Sequence, residues 1–485
     1  KSINFLISKF KRNNDQILVQ KLIDKPEISG VVFTKDKNTD SHYYQISFDT
    51  SKRSDLVTSG KFNPSLNTLI IFKKSKKVPK KFFKLIKTLK VLEKIFNNDR
   101  LDVEFCIKKK RLYILQCRPL LGKKNNVSIN TLYGVIINLK KKFKKIQSKI
   151  DDINGDYTSL SNMSDWNPVE MIGKKPTKLA LSIYAELITN KVWSIQRSNY
   201  GYKNVSPNRL MLDMAGSPYI DLRTDLNSFL PKKLDDRISK KIVNFSIDKL
   251  KRKPFLHDKI EFEIINTCYS IDLYKKKIGY LTKDEKIKFI KQLKTLTNNI
   301  LLNQKDYLLK DIKKIELLKS KIDYIKNSKL SHIQKIYYLI DDCKNYGTLP
   351  FSGIARCAFI SKSILDSLVE KKTLLNSEIN ELYLSINTIS KKINNDYINS
   401  LKKKNYKNFL CKYGHLRPST YSISIDNYKD NFKNYFSNNL NELSFKKSKK
   451  FNFNKKKISK IDKIFKKNGL KIKFKNFIDF TIQAH

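Results

Sequence analysis

The residues with the clearest chemical potential lie in the segment 101–120, which reads LDVEFCIKKKRLYILQCRPL. Glu104 belongs to the first of two short apolar runs, and Gln116 and Arg118 belong to the second. Carboxylate and amide oxygens suit Mg²⁺, which proteins usually hold with few side chains together with phosphate oxygens. The planar guanidinium of Arg118 matches phosphate oxygens. These residue types therefore indicate a site for Mg²⁺ and the phosphates of a nucleotide.

The elements that must position these side chains are the two strands of a β-hairpin. Side chains alternate faces along a strand, so Gln116 and Arg118 share a face. A turn centred on 108–111 would place Glu104 roughly opposite Gln116 in an antiparallel pair. The apolar residues expected to anchor the hairpin on a core are Val103, Phe105, Ile107, Leu112, Ile114 and Leu115. The same pattern also fits an ordinary hairpin with a solvated polar face.

The run DVEF…LYILQCRP closely resembles the signature that closes the ATP-grasp domain of the phosphoenolpyruvate synthase and pyruvate phosphate dikinase family. Rifampin phosphotransferases share that plan. In these enzymes the two strands contact magnesium and the triphosphate. By this resemblance Glu104 and Gln116 are metal ligands, Arg118 is a phosphate ligand, and the cofactors are ATP and Mg²⁺.

Two upstream segments resemble the same domain, in the same order. ILVQKLI (17–23) resembles the strand that leads into the adenine-side hinge, and it contains Gln20 and Lys21. SGVVFTKD (29–36) resembles the segment that follows, in which Thr34 faces the nucleotide. The resemblance therefore adds Gln20, Lys21 and Thr34 to the expected ATP site.

A third resemblance lies far along the chain, in KYGHLRPSTYSIS (412–424). A Y-G-H-[LR]-x-P-G-x-[TY] motif occurs in the central, acceptor-binding domain of rifampin-phosphotransferase-like proteins. By this match His415 is the expected base for an acceptor hydroxyl, and Arg417 contacts phosphate or substrate. Ser419 departs from the pattern, which has glycine there; if that position needs a positive φ, serine would strain it.

The resemblance also implies parts that the sequence does not display. The family's N-terminal ATP-grasp lobe would precede the first residue. The family's mobile domain carries a phosphorylated histidine, and none of the five histidines lies in the matching sequence setting. The expectation is an enzyme that is catalytically incomplete in this chain. Its phosphohistidine domain would come from missing sequence or from a separate chain.

The spacing of apolar residues along the sequence predicts an α+β protein. Residues 1–122 would form the C-terminal lobe of an ATP-grasp domain, a partial lobe with a mixed or antiparallel sheet and a helix at 80–97. Residues 123–160 read as a helical connector. Residues 161–485 have the three- and four-residue apolar spacing of long amphipathic helices, which predicts a mainly helical acceptor domain. The stretch 470–480 alternates apolar residues and reads as a strand followed by the start of a helix.

Composition narrows the classes of function. The net charge of +54 would suit a protein that binds the phosphates of a nucleic acid. The lysines, however, are spread over the whole chain, and no nucleic-acid motif is present, so no specific nucleic acid is expected as a partner. The six cysteines lack C-x-x-C spacing, which favours reduced thiols in a cytoplasmic protein. No apolar run is long enough for a membrane span.

Together these observations predict an ATP-dependent phosphotransferase of the phosphoenolpyruvate synthase and pyruvate phosphate dikinase type. Its partners would be ATP and an unidentified small-molecule or glycan acceptor. Two alternatives remain open. One is an inactive, ATP-grasp-like scaffold, and the other is a basic nucleic-acid-binding protein.

Overall fold

The computed structural model describes residues 23–51, 66–122, 127–163, 166–271, 278–418, 425–436 and 451–485, together with the single positions 7, 19 and 124. The chain divides into two compact units, Lys1–Lys141 (unit 1) and Lys142–His485 (unit 2). Helices account for 55% and strands for 12%, and the sheets are antiparallel, which confirms the predicted α+β class. The boundary between the units lies inside the segment 123–160 that was predicted to be a connector.

Unit 1 is built on a five-stranded antiparallel sheet with the strand order β3-β2-β1-β4-β5. In chain order its strands are β1 (Ile28–Phe33), β2 (Tyr43–Asp49), β3 (Asn67–Phe72), β4 (Leu101–Lys108) and β5 (Arg111–Pro119). The last two strands form the hairpin that the sequence predicted. Because β1 pairs with both β2 and β4, the hairpin is joined to the middle of the sheet.

One face of this sheet is covered by helix α1 (Phe83–Ile95), which continues from a 3₁₀ turn at Lys80–Phe82. The predicted helix at 80–97 is therefore confirmed. The helix presents apolar side chains at spacings of three and four, which brings them onto one side. These side chains pack against the alternate, inward-facing residues of the strands. The core includes Phe82, Leu85, Leu89, Val103 and Phe105.

Helix α2 (Ile129–Ile146) spans the boundary between the units. In unit 1, the ring of its Tyr133 stacks on Phe72 at a centroid distance of 6.0 Å. Within the segment 123–160, helix α2 covers residues 129–146, and most of the described residues after it form turns and loop. The helical part of the predicted connector is thus shorter than expected.

Unit 2 combines a small sheet of order β6-β8-β7 with many helices. Its strands are β6 (Leu160–Ser161), β7 (Met211–Met214) and β8 (Ser217–Asp221). Its α-helices are α3 (Pro168–Ile172), α4 (Lys178–Tyr184), α5 (Val192–Asn199), α6 (Leu222–Asn227), α7 (Asp236–Arg252), α8 (Lys283–Leu302), α9 (Leu308–Asn327), α10 (His332–Asp342), α11 (Leu349–Glu370), α12 (Asn376–Ser385), α13 (Ile389–Lys402), α14 (Lys407–Tyr413), α15 (Phe432–Tyr435), α16 (Lys455–Asn468) and α17 (Phe474–Ala484). Short π-helical turns lie at Ala185–Thr189, Ile260–Ile264 and Cys343–Thr348, and a 3₁₀ turn lies at Pro254–Leu256.

One large apolar core holds these elements together, with contributions from α6 through α9, α11, α12, α16 and α17. The strand predicted at the start of 470–480 is absent from the described structure of this region. Leu470 and Ile472 are buried without strand pairing, and helix α17 begins at Phe474. The alternation therefore reflects an extended segment that inserts every second side chain into the core. None of the helices among the described residues is both long and apolar enough to cross a bilayer.

Candidate functional site

The two-residue turn of the β4–β5 hairpin fixes which side chains face each other. Lys109 and Lys110 have φ values of 47° and 61°, which are the left-handed values of a type I′ turn. The residues on either side of the turn pair with each other, and further along the ladder Glu104 lies opposite Gln116. The predicted turn position and the predicted pairing are both confirmed.

A β-bulge at Leu115 separates the polar end of β5 from its apolar end. Phe105 pairs with Ile114 and Glu104 pairs with Gln116, so Leu115 is the extra residue without a partner. Because of this extra residue, Ile114 packs on the core, whereas Gln116 faces the other side of the sheet. Leu115 itself is not part of the core cluster, in contrast to the prediction that it would anchor the hairpin.

Four polar side chains share the face of the sheet opposite helix α1. Asp102 lies opposite Arg118, beside the Glu104–Gln116 pair. Nε of Arg118 donates a hydrogen bond to Oδ2 of Asp102 at 2.8 Å, and this bond raises the pKa of the guanidinium. The Arg118 side chain is still 56% exposed, so its terminal nitrogens can reach a ligand on this face.

Two buried oxygens on the same face have no hydrogen-bond partner among the described residues. They are Oδ1 of Asp102 and Oε1 of Gln45. The two residues lie in one row across the sheet, with Phe33 between them. Burying an acceptor without a partner costs about 1–3 kcal/mol. A hydrogen-bond donor or cation that reached either oxygen would remove this cost.

The predicted magnesium ligands are one carboxylate and one amide, which together leave most of the coordination shell of Mg²⁺ open. Glu104 is half-buried and Gln116 is exposed, and Asp102 lies one position along the same face. Within the described part of the chain, no group of three or more His, Cys, Asp or Glu side chains is arranged to hold a metal ion. An ion bound by Glu104 and Gln116 would depend on phosphate oxygens for the rest of its shell, which is the usual way that Mg²⁺ is held in nucleotide sites.

Thr34, which was predicted to face the nucleotide, has its hydroxyl engaged within the protein. Its side chain is fully buried. The hydroxyl donates to the carbonyl of Asp99 at 2.8 Å and accepts from the amide of Leu101 at 2.7 Å. These bonds join the end of β1 to the start of β4, which speaks against the expected contact between Thr34 and a nucleotide. The other two residues predicted for ATP binding, Gln20 and Lys21, lie outside the described residues.

The predicted acceptor residues lie in unit 2, directly after helix α14. His415 and Arg417 are both exposed, and Nε of Arg417 donates to the carbonyl of Ile425 at 2.8 Å. A cluster of aromatic side chains supports this corner and consists of Tyr397, Tyr406, Phe409, Tyr413, Phe432 and Phe436. The roles of His415 and Arg417 stay predictions. Ser419, the departure from the motif, lies outside the described residues.

The sequence analysis missed a buried polar contact in the core of unit 2. The hydroxyl of Tyr200 donates to Oδ2 of Asp311 at 2.7 Å. Burial raises the pKa of Asp311 to about 6 and raises the pKa of the neighbouring Cys357 thiol. Gly353 makes room for the contact, since a Cβ at this position would overlap the Asp311 carboxylate. The available signal was Gly353 itself, which lies within helix α11, but its partner is far away in sequence.

The hairpin and its polar face define a sheet-and-helix lobe with a surface suited to an anion and a cation together. Neither the models of known protein families nor the curated proteins match this chain.

Proposed function

We propose that this chain contributes Mg-ATP binding and an acceptor-substrate domain to an ATP-dependent phosphotransferase of the phosphoenolpyruvate synthase and pyruvate phosphate dikinase type. One observation carries the proposal. The register of β4 and β5 puts two carboxylates, an amide and a guanidinium on one face of the sheet, in the pairs Glu104–Gln116 and Asp102–Arg118. Of these, Glu104, Gln116 and Arg118 are the residues that the resemblance assigns to magnesium and triphosphate.

The four polar residues on this face of the sheet divide into metal ligands and a phosphate-binding pair. Glu104 and Gln116 would hold Mg²⁺, which when bound neutralises charge on the phosphates. Asp102 binds Nε of Arg118 and so orients the guanidinium, whose terminal nitrogens would meet phosphate oxygens. Phosphoryl transfer depends mainly on such positioning and charge neutralisation. A half-site of this kind orients the nucleotide without completing the reaction.

The acceptor part of the proposal concerns unit 2. His415 would accept the proton of an acceptor hydroxyl, a role suited to an imidazole whose ordinary pKa lies near neutrality. Arg417 would contact the transferred phosphoryl group or the substrate. The histidine that carries the phosphoryl group would belong to a domain outside this chain.

A second function, a scaffold that kept the fold without catalysis, has one observation in its favour. Arg118 is already engaged by Asp102, and an arginine that only braces a hairpin would look the same. The Arg118 side of the pair is largely solvent-exposed, and exposed ion pairs contribute little to stability. Bracing alone therefore predicts a small stability change, and no effect on nucleotide binding, when Arg118 is replaced.

The test is nucleotide binding by matched variants. Titration calorimetry with Mg-ATP is expected to show that Arg118→Gln weakens binding about 10-fold or more, because a charge-assisted hydrogen bond to phosphate is lost. Glu104→Gln should remove the dependence of ATP binding on Mg²⁺. The control is Arg111→Gln, which removes the same charge from the exposed far end of the same strand.

Two results would refute the nucleotide site. One is equal loss of ATP binding in Arg118→Gln and Arg111→Gln, which would mean that only net charge attracts ATP. The other is the absence of saturable Mg-ATP binding by the unmodified chain while its fold is intact, which would favour the scaffold.

A further inference from the structure

We propose that a cleft in unit 2 binds a small organic phosphate whose body carries hydroxyl groups, such as a pentose or hexose phosphate. The cleft has a volume of about 580 Å³, within the usual range for small-molecule sites. The residues that carry the argument are Ser161, Lys174, Lys175, Tyr219, Lys251 and His257.

The cleft is formed where the small sheet meets two helices. Strands β6 and β8 supply Ser161 and Tyr219, and Lys174 and Lys175 follow helix α3. Helix α7 ends beside the cleft with Lys251, and the 3₁₀ turn after it leads to His257. The lining therefore comes from segments that are distant in sequence but fixed by regular structure, which gives the cleft a preformed shape.

The charges in the cleft favour an anion. Three lysines line it, and the described lining residues include no Asp or Glu. The ammonium of Lys251 lies over the ring of Tyr157, 4.2 Å from its centroid, so this lysine is held in place. Three lysines in a lining without a carboxylate give the cleft a positive potential, which favours a bound phosphate.

Charge alone does not single out this cleft, because a second one in unit 2 is also lined by three lysines, Lys291, Lys294 and Lys471. The two differ in their uncharged polar groups. The second cleft offers one hydroxyl group, that of Thr295, and the amides of Asn298 and Asn299. The first cleft offers the hydroxyl groups of Ser159, Ser161, Ser217 and Tyr219, the amide of Asn162 and the imidazole of His257. These groups can donate to and accept from ligand hydroxyls. The combination is what a phosphate ester with a polyhydroxylated body requires.

The lining of the cleft also includes an imidazole that can orient a ligand hydroxyl, and apolar side chains. Nδ1 of His257 lies 3.1 Å from the carbonyl oxygen of Pro254. In the neutral tautomer that donates to this carbonyl, Nε2 is an acceptor for a ligand hydroxyl. Pro218, Leu222 and Leu250 provide apolar wall, against which the carbon face of a sugar ring can pack.

This inference goes beyond the proposed function and does not depend on the nucleotide face of unit 1. His415 and Arg417 are not among the residues lining the cleft. The ATP site and the phosphate cleft can therefore fail independently, because the variants that test them lie in different units.

The experiment is titration calorimetry of the full chain with ribose 5-phosphate, glucose 6-phosphate, free ribose and inorganic phosphate at physiological ionic strength. The double variant Lys174→Ala/Lys175→Ala should bind the sugar phosphates at least about 10-fold more weakly. The control Lys291→Ala/Lys471→Ala removes two exposed lysines from the second cleft and should change affinity less than about 2-fold. Thermal unfolding of both variants checks that the fold is retained.

A second readout locates the ligand. Lysine acetylation followed by mass spectrometry should show that ribose 5-phosphate protects Lys174, Lys175 and Lys251, while Lys291 and Lys471 stay reactive. Equal weakening in the two double variants, or protection spread over all lysines, would overturn the proposal in favour of diffuse charge attraction. It would also be overturned if neither sugar phosphate binds saturably, or if inorganic phosphate binds as tightly as both sugar phosphates.

Discussion

The buried carboxyl group of Asp311 allows a sharp test of the structure through the substitution Asp311→Asn. Asp311 lies on α9 and is 8% exposed. The hydroxyl of Tyr200 donates to Oδ2 at 2.7 Å. Asparagine has nearly the same shape and keeps an oxygen that can accept this bond, but it does not ionise. The substitution therefore removes the titration of the group while disturbing the packing little.

The expected pH dependence follows from the direction of the pKa change. Burial raises the pKa of Asp311 from 3.8 to about 6. Between about pH 4 and pH 6 the native state therefore holds a proton that the unfolded chain has released. The stability associated with this proton is fully present below about pH 4 and is lost as the pH rises through 6. A pKa difference of about two corresponds to about 3 kcal/mol.

Urea unfolding of the wild type and of Asp311→Asn, each at about pH 4.5 and pH 7.5, measures this change. Both tryptophans, Trp166 and Trp193, belong to unit 2, so tryptophan fluorescence reports the unit that contains Asp311. Relative to the wild type, the variant should gain about 2 kcal/mol of stability between the two pH values. The exposed carboxyl of Asp306, in the same unit, provides the control variant Asp306→Asn.

A difference between variant and wild type that stays constant with pH would refute the reasoning, because Asp311 would then titrate alike in both states. A variant that loses relative stability as the pH rises would mean that the carboxylate is favoured as the anion. Control and test variants that behave alike would assign the effect to net charge.

The remaining predictions concern the tight packing, the hairpin turn and the two open alternatives. Gly353→Ala should destabilise unit 2 by about 1–3 kcal/mol, because the added methyl group overlaps the Asp311 carboxylate; denaturant unfolding followed by tryptophan fluorescence measures it, and an unchanged midpoint would contradict the geometry. Replacing Lys109-Lys110 by Asn-Gly should stabilise the β4–β5 hairpin by about 0.5–1 kcal/mol, because these residues suit the positive φ of the turn; slower hydrogen exchange of the strand amides would show it. The chain alone should turn over ATP weakly or not at all in a phosphate-release assay, and robust turnover lost in Glu104→Gln would disprove the expected incompleteness. Filter binding of DNA should weaken steeply with salt and show no preference for sequence, whereas selective binding at physiological salt would revive the nucleic-acid alternative.

The sequence was sufficient to predict the turn and the two strands of the hairpin, because the turn position and the apolar alternation are local features. A two-residue turn with strict alternation would pair Glu104 with Leu115, so the observed pairing of Glu104 with Gln116 also requires the bulge at Leu115. The bulge at Leu115 escaped prediction since the apolar run 112–115 does not show which residue is extra. The ion pair between Asp102 and Arg118 follows from the register, but whether an arginine binds a neighbour or a ligand depends on what else occupies the face.

Contacts between distant segments were beyond the reach of sequence patterns. Thr34 matched a family segment, yet its hydroxyl is used to join β1 to β4 through Asp99 and Leu101. Asp311 and Tyr200 are separated by 111 residues, so no local spacing connects them. Burial shifts the pKa values of such groups. The packing of whole helices and strands determines which groups are buried.

In this lysine-rich chain, several arginine side chains occupy buried sites that depend on the geometry of the guanidinium group. Arg197, Arg223 and Arg356 are among the largest fully buried side chains of unit 2. Arg197 pairs with Asp225 at 2.9 Å, and Arg223 donates to two carbonyl oxygens near the end of helix α2, of which that of Ile146 is 2.8 Å away. A lysine has neither the planar fork nor the weak hydration that these sites require.

The ring of Phe229 contacts two of these buried guanidinium groups. It lies 3.8 Å from the guanidinium carbon of Arg197 and 4.9 Å from that of Arg356, measured to its centroid. Planar guanidinium groups can stack on an aromatic ring, whereas an ammonium group acts as a point charge. Where lysine is abundant on the surface and arginine persists, the fork is being used. Arg118, on the face of the unit 1 sheet opposite helix α1, also has its guanidinium oriented by a carboxylate, since its Nε donates to Asp102. The calorimetric comparison with Arg111 asks whether that geometry serves the hairpin or a bound phosphate.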